Sequence, residues 1–298
     1  MRRDLVRGWL AAAAVAAAVS SVACNSEVRA RRDLGRLGVE YSHRALIRHA
    51  AEGDERAVRL LLDAGMNANT DPNEGPTPLM QAAAGGHEDV VEVLLENGAD
   101  PNTRRPDGST ALHDAATGGH SRAGIALLDK GADPNVMDSA RRTPLINAIL
   151  ARRQDLVMAL LDKGAHPYVQ DDKWSALMLA SFLGQQPVVE KLLEKGARVE
   201  AVNDLGRTAL MYAASRGYAA VVKLLLATGA SVDARDAGGH TALMYAAANG
   251  QAEAVRTLLG AGANAAIANT NGETAASYAR SNGHAEVLTA LGQTGSTG

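Results

Sequence analysis

The sequence is poor in cysteine and in aromatic residues, and it lacks a strong charge of either sign. One cysteine among 298 residues excludes an internal disulfide, a cysteine zinc site and a C-x-x-C redox pair. A formal net charge of −3 leaves no broad basic footprint for nucleic acid. Phe, Trp and Tyr together make up 3% of the chain, so the core falls to Leu, Val and Ala. That composition suits closely packed short helices better than a sandwich or a barrel. An apolar fraction of 46% is ordinary for a globular chain and argues against disorder.

The N-terminal apolar run is too short to span a membrane. The uncharged stretch from Trp9 to Ala23 has 15 residues, against the roughly 20 of a spanning helix. Preceded by Arg2, Arg3 and Arg7 and ending in small residues, residues 1–23 read as a secretory signal. The lone cysteine follows directly, and Ser21-Val22-Ala23-Cys24 resembles a bacterial lipobox, with Ser21 standing where Leu is most usual. That resemblance implies diacylglycerol on Cys24, which becomes the mature N-terminus. Asn25 in place of the inner-membrane retention Asp then implies the outer membrane. The other reading is plain cleavage after Ala23 to a soluble periplasmic protein. Both readings place the exported chain in the cell envelope. Residues 24–40, with Glu27, Arg29, Arg31, Arg32 and Asp33, predict a short polar tether.

Beyond the tether the chain repeats itself. Leu-Leu-x-x-Gly-Ala recurs, and Gly65, Gly98, Gly131, Gly164, Gly196, Gly229 and Gly262 are spaced by 33, 33, 33, 32, 33 and 33 residues. Thr77, Thr110, Thr143, Thr208, Thr241 and Thr274 each follow such a glycine by 12 residues, and Ser175 follows Gly164 by 11. Within a unit, Thr77-Pro78-Leu79 and Thr143-Pro144-Leu145 set a capping hydroxyl before a proline at the first helical position. Ala pairs such as Ala82-Ala83 mark a first helix that neighbours can approach closely. Val90, Val91, Leu94 and Leu95 mark the apolar face of a second helix. The closing glycine suits the left-handed residue that ends a helix.

Thr77-Pro78-Leu79-Met80-Gln81-Ala82-Ala83-Ala84-Gly85-Gly86-His87, continuing to Gly98-Ala99-Asp100-Pro101-Asn102, and Thr110-Ala111-Leu112-His113 through His120 resemble the ankyrin-repeat family. The resemblance covers residues 41–291, about seven full units and a truncated C-terminal cap, and leaves 292–298 as a flexible tail. It implies an all-α repeat solenoid of paired antiparallel helices joined by β-hairpin loops. Such units stack because one alone cannot bury its apolar face. The first unit is expected to present Arg48, His49, Glu52, Asp54 and Glu55 as a polar outer surface.

Catalytic chemistry finds no foothold. In the resembled family the Gly-His slot, here His87, His120 and His284, bonds loop backbone between repeats, and His113 bonds its own cap Thr110. His43, His49, His166 and His240 occupy unlike positions without metal-ligand spacing. Asp100, Asp133 and Asp233 recur near hairpins, and Glu92, Glu96, Glu190 and Glu194 recur on second helices, as solvated structural positions do. No phosphate-binding loop or nucleophile elbow occurs. The reading is a monomeric, non-enzymatic scaffold without cofactor or metal, with a protein partner and no nucleic acid. An inhibitor or immunity protein, or an accessory to periplasmic stress defence, is the alternative.

The resemblance implies partner contact at hairpin tips and exposed first-helix positions, which together line the concave side. Specificity is expected where the repeat breaks its own rule. Arg141 replaces a hairpin glycine beside Arg142, and Arg152-Arg153 replace Gly-His. Tyr168 stands where other units have Asn69, Asn102 or Asn135, and a loop one residue shorter presents Gln170, Asp171, Asp172, Lys173 and Trp174. Phe182-Leu183 fall where neighbours have Ala84-Gly85 or Ser215-Arg216. The candidate partner-binding set is therefore Arg142, Leu150, Arg152, Tyr168, Asp172, Lys173, Trp174, Phe182 and Leu183, with Cys24 for lipid. Local repacking around the shortened loop is the competing explanation for the aromatics. Tyr212, Tyr245 and Tyr278 share one register and are expected to pack between units with exposed hydroxyls, the alternative being that they extend the binding surface along the C-terminal half.

Overall fold

The computed structural model describes residues 25–70, 75–168 and 174–292. The signal, Cys24, Asp172, Lys173 and all but the first residue of the tail thus lie outside the described residues. The chain divides into two compact units, Met1–Asp133 and Pro134–Gly298. In the first, residues 25–37 are helical (α1). They are followed by three helix pairs, α2 (His43–Glu52) with α3 (Glu55–Asp63), α4 (Pro78–Gly85) with α5 (Glu88–Glu96), and α6 (Ala111–Gly118) with α7 (Ser121–Asp129). The second unit holds α8 (Pro144–Leu150) with α9 (Gln154–Asp162), α10 (Ala176–Phe182) with α11 (Gln186–Glu194), and α12 (Ala209–Arg216) with α13 (Ala219–Ala227). It closes with α14 (Ala242–Ala248) and α15 (Ala252–Gly260), then α16 (Ala275–Ser281) and the short α17 (Ala285–Ala290).

Local chemistry sets these elements. The Thr77 hydroxyl accepts the Met80 amide at 3.3 Å and Ser175 accepts that of Met178 at 3.2 Å, so the first turn of each helix is capped. Thr110 donates its amide to His113 Nδ1 at 3.2 Å, the capping role expected for that histidine. Helix α4 stops at Gly86, whose φ of 71° is left-handed, and the His120 ring occupies the space a Cβ there would need. First helices bury Ala82, Ala83, Ala115 and Ala116 completely, and second helices bury Val90, Val91 and Leu94. Each such branched side chain contributes about 1.5–3 kcal/mol of apolar transfer.

Neighbouring repeats are stitched by side chains that reach backbone. His87 Nε2 lies 2.9 Å from the Ala51 carbonyl and His284 Nε2 lies 3.1 Å from that of Ala248. Where the slot carries Gly184-Gln185 instead of Gly-His, Gln185 donates to the Ile149 carbonyl at 2.8 Å and does the same work. Asn69, Asn102 and Asn135 form a second set of rungs. Asn102, for example, donates to the Gly131 carbonyl at 3.0 Å and accepts the Asp133 amide at 2.7 Å.

Three expectations need correction. Residues 25–37 are not a tether: they form a helix that buries Ala30 and Leu34, and Arg31 Nη2 donates to the Ala64 carbonyl at 3.2 Å. His49 is not on a polar outer surface, because it is buried with Nδ1 3.2 Å from Asp54 Oδ2. The hairpin loops form no strand among the described residues. The described loops close on themselves, as where the Asp236 amide donates to the His240 carbonyl at 3.0 Å, and two of them reach the preceding loop through one backbone bond, Ala237 to Leu205 and Thr270 to Gly238, both at 3.0 Å. A single bond between loops is too little for a ladder.

Candidate functional site

The second unit gathers the aromatic residues. Trp174 immediately precedes Ser175, the cap of α10, and Phe182 is the last residue of that helix. Their ring centroids are 5.2 Å apart, and Tyr212, in the first turn of α12, lies 4.4 Å from Trp174 and meets Phe182 edge-on at 6.1 Å. Offset and edge-to-face pairs of this kind are favoured by the ring quadrupoles. All three are only partly covered. With Asn203, Asp204, Leu205 and Arg207 they line a solvent-open pocket of about 540 Å³, at whose edge Leu205 is 52% exposed. Arg216 lies over the Phe182 ring at 4.8 Å.

Polar bonds hold this wall in place. Asn203 donates to the Tyr212 hydroxyl at 2.9 Å, so that hydroxyl is tied to the hairpin and not free. The same link recurs in later units, where Tyr245 donates to Asp236 at 2.5 Å and Asn269 donates to the Tyr278 hydroxyl at 2.9 Å. This corrects the expectation of exposed hydroxyls. Asp236 also accepts the His240 amide at 2.8 Å and faces His240 Nδ1 at 3.1 Å, with Arg207 Nε 3.6 Å away. Burial pushes the Asp236 carboxyl up, but the Tyr245 and His240 hydrogen bonds outweigh it and hold it below the ordinary carboxylate value. Burial and the bond to Asp236 push the Tyr245 phenol up. Among the described residues no group of three or more His, Cys, Asp or Glu converges as a metal site.

The remaining candidates separate. Leu150, at the end of α8, is 48% exposed and occupies the register of Phe182 one unit earlier. Leu183 is partly covered beside Phe182 and does not line the pocket. Arg142 is held in its own hairpin, with Nη2 3.2 Å from Asp138 Oδ2. Arg152 is exposed, with a φ of 56° where other units carry glycine. Tyr168 is 60% exposed and stacks on His166 at 5.2 Å. It lines a different opening of about 700 Å³ with Pro167, Val199 and Val202, so the structure does not bring it to the aromatic pocket. Sequence reasoning missed Asn203, Asp204, Leu205 and Arg207 as pocket residues, and Arg216 over the Phe182 ring. Arg207 stands 33 residues after Trp174, and that register was the available signal.

Capped helix pairs at a 33-residue pitch, stitched by Gly-His and Asn rungs, define a repeat scaffold. The sequence model described as Ankyrin repeats (3 copies) matches residues 12–105, 46–138, 97–171, 118–203, 169–236 and 232–296. The chain belongs to the ankyrin-repeat family, whose members are in general non-enzymatic protein-interaction scaffolds. Among solved structures it is similar to the human ASB11 ankyrin repeat domain, at 29% identity and a TM-score of 0.65 over 74% of this chain and 100% of that one. No match was found among curated proteins.

Proposed function

We propose that this protein is a monomeric scaffold of the bacterial cell envelope. It docks a protein partner on the hairpin-and-first-helix face of its second unit and performs no catalysis. The observation that carries the reading is the open pocket of Trp174, Phe182 and Tyr212 in a chain with 3% aromatic residues. Partly exposed aromatics around a pocket have the composition of binding hot spots. A wall held by hydrogen bonds loses little entropy on binding. Export through residues 1–23 and a diacylglycerol anchor on Cys24 would hold that surface at the outer membrane.

Affinity capture from native envelopes tests the docking surface, comparing the wild-type chain with the Trp174→Ala/Phe182→Ala variant. A partner retained by the first and lost by the folded second supports the site. Equal capture by both removes it. Incorporation of labelled palmitate, abolished by Cys24→Ser, tests the anchor, and a monomer mass in light scattering tests the oligomeric state.

A further inference from the structure

The N-terminal helix α1 has two unlike faces. One buries Ala30 and Leu34, and beside them Arg31 bonds the Ala64 carbonyl and lies over the Tyr41 ring at 4.8 Å. Val28, Arg29, Arg32 and Arg36 follow one another by one, three and four residues. At about 3.6 residues per turn that spacing sets them on the side opposite Ala30 and Leu34. All four are exposed, Val28 at 63%.

The two acids of α1 do not share that face. The Glu27 carboxylate rests beside Gly65, and Asp33 is partly covered at the flank. Asp33 offsets part of the arginine charge, with Oδ1 3.3 Å from Arg36 Nη1 and 3.8 Å from Arg32 Nε. Arg29 has no ion pair among the described residues. The acids that reach this flank from α3, Glu55 and Asp63, share their opening with Arg56 and Arg59. The outward face therefore stays cationic in a chain whose formal charge is −3.

Position in the chain names what covers it. Helix α1 starts at the residue after Cys24, so no linker stands between the proposed anchor and the folded stack. Diacylglycerol on Cys24 would bring the first turn of α1 to the bilayer surface. Charges act there over roughly 8 Å at physiological salt, whereas α1 is about 20 Å long. Only a helix lying along the surface sets all three arginines within that layer. A basic helix face beside a lipid chain supplies the second signal that fixes a protein to anionic lipid.

We propose that the outward face of α1 is a membrane contact. Arg29, Arg32 and Arg36 bind anionic phospholipid, Val28 enters the headgroup boundary, and the first unit is thereby seated on the bilayer. This rests on the Cys24 anchor proposed above and adds a contact that the anchor alone does not supply.

The test uses residues 24–298, which keep every described residue and have Cys24 as their sole cysteine. Coupling Cys24 to a maleimide-headgroup lipid supplies the anchor on vesicles whether or not the cell acylates it. Failure of the palmitate label and failure of this contact are thus separate results. Amide exchange of residues 25–37 is compared on phosphatidylcholine vesicles and on vesicles with about 30% phosphatidylglycerol. Exchange is expected to be about tenfold slower on the anionic vesicles, with the difference closing in high salt. Arg29→Gln/Arg32→Gln/Arg36→Gln is expected to abolish the difference and to leave exchange on neutral vesicles unchanged. Should that variant loosen α1 on neutral vesicles, Val28→Glu, which removes no ion pair, is expected to reduce the anionic slowing in its place. Equal slowing on both vesicles, slowing on neither, or slowing that persists in both variants overturns the proposal. Protection that appears in native envelopes and not on protein-free anionic vesicles also overturns it, by giving the face to an acidic protein.

Discussion

The Tyr245 hydroxyl donates to Asp236 Oδ2 at 2.5 Å, joining the first turn of α14 to a hairpin nine residues upstream. The same separation links Asn203 with Tyr212 at 2.9 Å and, in the first unit, Arg105 with Asp114 at 2.8 Å. One geometric slot is thus filled by an amide–phenol, an acid–phenol or a salt-bridge pair, and each fixes its hairpin against its own first helix. Tyr245→Phe leaves the buried carboxylate short of a donor. We expect a loss of about 1–3 kcal/mol, read from urea unfolding, with the helical content of the folded state unchanged.

The same pair predicts an acid response. The Asp236 carboxyl is held below its ordinary value in the folded state. Its stabilisation is therefore complete above the unfolded value of about 4 and is lost as pH falls through the lower folded value. Urea midpoints measured from pH 6 downward should fall on this limb, and Asp236→Asn should flatten the slope. An unchanged slope would show that the carboxylate does not differ between the two states.

Leu34 predicts what the N-terminal helix is worth. It is almost fully buried although it lies among Arg31, Arg32, Asp33 and Arg36. Leu34→Ala is expected to cost about 2–3 kcal/mol and to raise hydrogen exchange in α2 and α3 first, because α1 covers that end of the stack.

Tyr168 marks a missing rung. Asn135 holds the following repeat by donating to the Gly164 carbonyl at 3.0 Å and accepting the His166 amide at 2.8 Å. Tyr168 occupies the equivalent position one unit on and has no short carboxamide with which to do so. Tyr168→Asn should gain about 0.5–1.5 kcal/mol and protect the Arg198 amide from exchange. Unchanged exchange at Arg198 would show that the rung does not form.

Arg152→Gly should stabilise the chain. Relief of the left-handed strain, partly offset by the greater unfolded freedom of glycine, gives about 0.5–1 kcal/mol. A rise in Tm is the expected outcome, and a fall in Tm would contradict the strain.

Some of this was legible along the chain because the forces are local. A Thr-Pro helix start, a left-handed glycine and a buried Val-Val-x-x-Leu-Leu face each act within a few residues. Their repetition at 33 residues therefore discloses the pairing of helices, the family and the slots where the pattern departs. Trp174 and Phe182 were visible in that way, since each stands where its neighbours carry something else.

What the tertiary structure alone decided are relations between residues that belong to different repeats or have weak local patterns. Residues 25–37 offer two buried apolar positions, Ala30 and Leu34, among charges. Only a receiving surface on the first pair makes that a docked helix instead of a tether. Tyr212 became a wall of the pocket because stacking carries α12 against α10, and Tyr168 was excluded because its ring stacks on His166 on another opening. Helix capping and periodicity are properties of short segments, whereas burial, pocket membership and the pairing of charges arise only when one repeat is packed against the next.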